Sequence, residues 1–195
     1  MAKVQWKGST LLAPLPPMMV SCGTMEHSNI LTVAWTGIIN TQPPRTYISV
    51  RPCRYSYDII RKSGEFTINL TPVSLVRAAD YCGIFTGAKV DKFAKCGLTR
   101  EPGCSVSCPS IAESPLSLEC HVIDILPQGT HDMFLADIVS VRADEALLDS
   151  AGRLCMERAE LVAFAHGDYY ALGKKIGTFG FSASKKKASR KQSGK

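Results

Sequence analysis

The sequence holds no apolar run of the roughly 18 residues that a bilayer-crossing helix needs. The nearest approach is Leu11 to Val20, which follows Lys3 and Lys7 and precedes Ser21-Cys22 in the manner of a secretory leader. Pro14, Pro16 and Pro17 interrupt it, and a leader's apolar region prefers helix. A cytoplasmic protein with no membrane span is the expectation. No Cys-x-x-Cys pair occurs, which removes the zinc-ribbon and thioredoxin signatures. No Gly-x-Gly-x-x-Gly opens a helix after a strand and no Walker loop is present, so nothing points to a parallel nucleotide-binding sheet. Gly-x-Ser-x-Gly and His-Glu-x-x-His are missing as well, and the four histidines are scattered, which speaks against hydrolytic chemistry. No internal repeat is visible.

What is present fits one globular domain. The chain has 195 residues, 45% hydrophobic and 21% charged, enough to bury one sizeable core. A chain of this size needs no staples, so its eight cysteines are expected to be free thiols, mostly packed as small apolar residues. A metal site drawn from Cys96, Cys104, Cys108 and Cys120 or His121 is the alternative. Whether Cys104 and Cys108, separated by Ser-Val-Ser, carry redox chemistry stays open.

The net charge of +6 lies at one end. Residues 182–195 contain Lys185, Lys186, Lys187, Arg190, Lys191 and Lys195 and no acidic residue. Removing these six from 23 cations leaves 17 against 17 anions. The expected organisation is a folded domain over residues 1–181 and a disordered basic tail over 182–195. A nucleic-acid interface would need a basic stripe with interleaved aromatics on a folded face, and none is visible, so no nucleic-acid partner is expected.

Apolar and β-branched runs predict strands over Met18–Thr24, Asn29–Thr41, Thr46–Arg51 and Glu65–Leu70, with Gln42-Pro43-Pro44 ending the second. A helix over Tyr57–Lys62 would be capped by Ser56 and closed by Gly64; a second over Ser74–Tyr81 would be capped by Ser74. A third, Lys92–Cys96, would be capped by Asp91 and closed by Gly97. Residues 98–114 read as a loop. Leu116–Ile125 and Met133–Val141 read as a hairpin. Ser117, Glu119 and His121 alternate with Leu116, Leu118 and Cys120, which predicts a half-exposed strand. A further apolar run, Leu161 to Phe164, and the pair Tyr169-Tyr170 follow. Many antiparallel strands with short helices predict a closed, mainly β barrel.

Two segments are candidates for ligand chemistry. Arg51, Arg54 and Ser56 fall between a strand end and a helix N-terminus, where free N–H groups and the helix dipole attract anions. Thr32 and Thr36 on the preceding strand are spaced to share a face, near Asn29. In the second segment Gly83 and Gly87 free the backbone for close approach, and Thr86, Lys89 and Lys92 add a hydroxyl and cations. Solvated arginines, β-propensity and a simple cap-and-turn explain the same residues without a ligand.

The ordered set Asn29-Ile-Leu-Thr-Val-Ala-Trp-Thr-Gly37, Pro43-Pro44, Arg51-Pro-x-Arg54-Tyr-Ser56, Ser63-Gly-Glu-Phe-Thr-Ile-Asn-Leu70, Asp80-x-Cys-Gly83, Thr86-Gly87 and Asp91-Lys-Phe93 resembles the flavin reductase-like, FMN-binding split-barrel family, flavoredoxin type. Gly129-x-His131-x-x-Phe134 and Tyr169-Tyr-Ala-Leu-Gly173 fit the same resemblance, which spans roughly residues 10 to 180. It implies an antiparallel split barrel, a homodimer, and FMN near the subunit interface. It also implies Arg51, Arg54, Ser56, Thr86 and Lys92 around the phosphate. Asn29, Thr32, Trp35, Thr36 and Gly37 would line the flavin, with Cys82, Gly83 and Gly87 in a nearby loop; Lys89, Asp91 and His131 are further candidates. The implied chemistry is hydride transfer from NAD(P)H to the flavin and onward electron transfer to a small-molecule or protein acceptor. The alternatives are an electron carrier fed by a protein partner, and a split barrel that binds haem or another ligand instead of FMN.

Overall fold

The computed structural model describes residues 1–183. The expected basic tail lies, from residue 184 onward, outside the described residues. The fold is mainly β with three short α-helices. In chain order its elements are β1 (Met18–Gly23), β2 (Ser28–Val33), β3 (Thr36–Thr41), β4 (Pro44–Val50), α1 (Tyr55–Ser63), β5 (Glu65–Asn69), α2 (Val76–Ile84), α3 (Lys92–Cys96), β6 (Arg100–Glu101), β7 (Ser110–Ile111), β8 (Leu116–Pro127), β9 (Asp132–Ala143), β10 (Val162–Ala165) and β11 (Asp168–Ala171).

Seven strands form one antiparallel sheet in the order β2-β1-β5-β8-β9-β4-β3. Its two outer strands, β2 and β3, are consecutive in the chain. The expected single strand Asn29–Thr41 is therefore corrected to two strands with a bend at Ala34-Trp35. That bend brings the sheet's two edges together. Trp35 O accepts from Ser49 N at 2.9 Å, and β2 meets β4 across the seam.

Side-chain alternation then sorts the strands. Val20, Cys22, Leu31, Val33, Ile48, Val50, Phe66, Ile68, Cys120, Phe134 and Ala136 fill the interior, joined by Tyr57 and Ile60 from α1. Met19 and Ile30 point the other way, into a second cluster with Ala79 and Cys82 of α2, and Phe93 of α3. So α2 and α3 cover the outer face of β1 and β2. Burying large apolar side chains on both faces stabilises the sheet at roughly 1.5–3 kcal/mol each.

Four local expectations change. Residues 98–114, expected as a loop, contain the short paired strands β6 and β7. Arg54, not Ser56, is the N-cap of α1, because a turn closed by Arg54 N to Arg51 O starts the helix earlier; Ser56 lies inside its first turn. Ser74 caps nothing: it falls within a 3-10 turn, Val73–Leu75, that leads into α2. The β8 alternation is real, but of its polar face only His121 is exposed. Ser117 and Glu119 are 4% and 0% exposed, covered by the segment 102–111. Glu119 accepts from Cys104 N at 2.8 Å and Ser105 N at 2.7 Å. Asn69 Oδ1 accepts from Ile111 N and Ser117 Oγ. Backbone donors of a loop satisfy this buried polar face where water was expected. The helix Lys92–Cys96 forms as read, with the Asp91 carboxylate accepting from Ala94 N and Gly97 closing it in the left-handed region.

Candidate functional site

Two cavities meet at the seam. The first, about 170 Å³, is lined by residues 31–35 with Ser49, Val50, Arg51, Arg54 and His131. The second, about 180 Å³, is lined by Asn29, Leu31, Arg51, Cys53, Arg54, Tyr55, Ser56, Phe85, Thr86, Gly87 and Lys92. Leu31, Arg51 and Arg54 belong to both, so the two form one continuous groove.

The second cavity has the chemistry of an anion site. Asn29 Nδ2 donates to Ser56 Oγ at 2.7 Å, and both side chains are buried. Asn29 lies on the same face of β2 as Leu31 and Val33, which turns it inward beneath the N-terminus of α1. The partial positive charge of that terminus favours an anion. Lys92 is 2% exposed, and its Nζ donates to Ile30 O at 2.7 Å and Cys82 O at 2.8 Å. An ammonium has three donors, so one is left for a ligand. Burial holds the Lys92 pKa below its ordinary value; the charges of Cys82 oppose that shift and Arg54 adds to it. Gly87 has the closest approach in this cavity: a Cβ there would stand 2.1 Å from Asn29 Oδ1. The position has room for a backbone and nothing more.

The first cavity is flatter and aromatic. The Trp35 and His131 rings lie 4.6 Å apart, tilted by 46°. His131 Nε2 accepts from Arg51 Nε at 3.4 Å, while Nδ1 contacts Thr130 Oγ1 at 3.0 Å. Burial lowers the His131 pKa, and the charges of Arg51 and Arg54 lower it further, so the ring is neutral at pH 7. Trp35 also borders a third cavity, with Leu12, Leu15, Phe164 and His166.

Of the residues singled out in the sequence, Asn29, Arg51, Arg54, Ser56, Thr86, Gly87 and Lys92 come together in the second cavity, and Thr32, Trp35 and His131 in the first. The threonine hydroxyls are committed elsewhere: Thr32 Oγ1 donates to Ala79 O and Thr36 Oγ1 to Tyr47 O. Thr36 and Gly37 fall on β3, beyond the bend, and line neither cavity. Cys82 is buried in the α2 cluster, and Gly83 packs against Thr32. Lys89 is exposed, and Asp91 is spent on its cap and on Arg100 at 2.8 Å. Among the described residues, no group of three or more His, Cys, Asp or Glu is placed to hold a metal ion. No helix among them is long and apolar enough to cross a membrane. Leu31, Ser49, Phe85 and Phe164 escaped the sequence reading. Only Leu31 had a signal, its two-residue spacing from Asn29.

The chain matches the flavin reductase like domain over residues 12–173. Its fold superposes on flavoredoxin of Desulfovibrio vulgaris (Miyazaki F) with a TM-score of 0.87 and 33% identity, over 94% of this chain and 100% of the other. An FMN-binding protein from Thermus thermophilus shares the fold, with a TM-score of 0.76, 21% identity, and 91% and 97% of the two chains covered. The reductase component of a 4-nitrophenol 4-monooxygenase/4-nitrocatechol 2-monooxygenase from Rhodococcus opacus is 32% identical over 111 residues, 56% of this chain and 55% of that one.

Proposed function

Because the chain belongs to the flavin reductase-like family, we propose that it is an FMN-binding oxidoreductase that takes electrons from NAD(P)H and passes them to an acceptor. The observation that carries this reading is the buried Asn29–Ser56 pair beside Lys92, beneath a glycine whose missing Cβ keeps the backbone close. Such a cradle suits a phosphate, which is met best by hydroxyls, N–H groups and a desolvated cation. In this reading Ser56, Thr86, Lys92 and Arg54 hold the phosphate, and Trp35, His131 and Arg51 flank the ring system. Bound FMN supplies the hydride and single-electron chemistry that amino acids lack.

The chain's own groups bind and orient. Burial, with the charges of Arg51 and Arg54, holds the His131 pKa down, and the imidazole stands between an indole and a guanidinium in the ring cavity. Lys92 carries positive charge at the cavity floor, where low solvent exposure strengthens it. No side chain need move a proton. A homodimer belongs to the same proposal. Ile38 and Ile39 are exposed on β3, an outer strand, beside the seam that holds the site.

A second reading, an electron carrier reduced by a protein partner, is favoured by the similarity to flavoredoxin. One assay separates the two. The purified protein, loaded with FMN and excess flavin removed, is given NADH or NADPH under anaerobic conditions. Bleaching of the flavin band supports the reductase. A bound flavin that neither nicotinamide bleaches supports the carrier, and a protein that never retains FMN contradicts both.

A further inference from the structure

Residues 14–18 and β10 border a further cavity of about 240 Å³, which shares no lining residue with the flavin groove. Two backbone ties hold its walls. Leu15 N donates to Phe164 O at 2.9 Å and Phe164 N to Leu15 O at 2.7 Å, while Val162 N donates to Thr71 O at 3.2 Å. Pro14, Pro16 and Pro17 have a fixed φ and no N–H, so they stiffen the wall and donate nothing. Pro14 and Leu172 are exposed and border the cavity on the solvent side. One lining side chain does not match these apolar surroundings. Thr71 is 2% exposed, and among the described residues its Oγ1 is a buried side-chain polar atom with no hydrogen-bond partner. No other side chain on the wall carries an N–H or O–H. A buried hydroxyl left unpaired costs stability, and a ligand that answers it recovers that cost.

We infer that this cavity binds a small one-ring molecule with a single hydroxyl, of the class of the monocyclic phenols, its ring against the prolines and leucines and its hydroxyl paired with Thr71 Oγ1. Size sets the first limit. A cavity of about 150 Å³ takes benzene, so this one has room for a ring with one or two small substituents. The wall sets the second. A carboxylate or ammonium would be desolvated here with no opposite charge to meet it. The lone Thr71 hydroxyl sets the third. It can donate or accept, and so can the hydroxyl of the ligand, so either sense of the bond is open. A rigid ring also gives up less conformational freedom on binding than a chain of the same size. No bond is made or broken at this site, and its occupancy does not depend on flavin.

The test uses the full chain with p-cresol and toluene, which differ by one hydroxyl. Methyl signals in proton–carbon NMR spectra are followed during titration, with and without excess FMN. The expected result is that p-cresol shifts the methyls of Thr71, Val162 and Leu172 to the same extent in both conditions. Thr71→Val should weaken p-cresol about tenfold, because the ligand's hydroxyl is left unpaired, and leave toluene unchanged. Thr71→Ser, which keeps the hydroxyl, should keep the p-cresol affinity. Should Thr71→Val fold poorly, Ala163→Leu fills the cavity from β10 and should abolish binding of both probes. Shifts confined to the flavin groove overturn the proposal, as do equal losses of both probes in Thr71→Val or binding of neither probe to the unaltered protein. Shifts at Thr71 and Leu172 that follow protein concentration alone would put a second copy of the chain on this wall, and overturn it too.

Discussion

Asn29 on β2 and Ser56 on α1 are joined by a 2.7 Å hydrogen bond inside the barrel's seam, 27 residues apart in the chain. The bond fixes the first turn of α1 over the strand and leaves the Asn29 carbonyl oxygen against Gly87. Three segments therefore converge on one amide. Ser56→Ala is expected to weaken FMN binding by about 1 kcal/mol, the usual worth of one hydrogen bond. Gly87→Ala should cost more, because its Cβ displaces the Asn29 amide itself. Fluorescence titration with FMN measures both. A Gly87→Ala protein that binds FMN as well as Ser56→Ala would contradict the ordering.

Lys92 has two jobs. It ties β2 to α2 through Ile30 O and Cys82 O, and it charges the floor of the phosphate cavity. Lys92→Met keeps the packing of the stem and removes the charge. It is expected to lose FMN affinity by about 1.5–3 kcal/mol, the range for hydrogen bonds to charged groups. It should also lower the thermal midpoint of the FMN-free protein, because two buried carbonyls lose their donor. A variant with lowered FMN affinity but unchanged stability would remove the tie between β2 and α2.

His131 gives a pH prediction. Its pKa lies below the ordinary 6.5, through burial and then through Arg51 and Arg54. The folded chain thus binds a proton at this site less readily than the unfolded chain. The stability this contributes is present above pH 6.5 and is lost as pH falls through the folded value. An NMR titration of the His131 ring should give a midpoint below 6.5, and Arg51→Gln should move it up. A midpoint unchanged by Arg51→Gln would show that the guanidinium does not act on the ring.

Glu119 is the one fully buried carboxylate of β8, and its two oxygens accept from Cys104 N and Ser105 N. Glu119→Gln turns one acceptor into an N–H₂ facing an N–H donor. The expected cost is about 2 kcal/mol of stability, or roughly 4–8 °C for a chain of this size. Cleavage by protease within 98–114 should quicken in parallel. Loss of stability without faster cleavage would place the effect elsewhere.

These sites differ in how far the sequence reveals them. Asp91 and Gly97 announce the ends of α3 because cap and closure are local chemistry. Gly64 does the same for α1. The seam is not legible: Ala34-Trp35 carries no proline or glycine, and the Ile, Val and Thr around it favour extended backbone on both sides of the bend. The burial of Glu119 is hidden for a related reason. Alternation has the same period whether the polar face meets water or the backbone of a distant loop. Ser56 reads as a cap because serine suits that position, while the Arg51–Arg54 turn that displaces it shows only in three dimensions. Arg51, Arg54, Ser56, Thr86, Gly87 and Lys92 line one cavity. Thr36, Lys89 and Asp91 lie outside it: the Thr36 hydroxyl donates to Tyr47 O, Asp91 caps α3 and pairs with Arg100, and Lys89 is exposed.

The central claim is that the cavity under Asn29, Ser56 and Lys92 receives the phosphate of FMN. Parallel fluorescence titrations with FMN and riboflavin, which differ only in that phosphate, test it most directly. The account predicts that FMN binds at least about tenfold more tightly, a difference of about 1.4 kcal/mol, and that Lys92→Met removes most of this preference. Equal affinities for the two flavins, or a preference that Lys92→Met leaves intact, would contradict it.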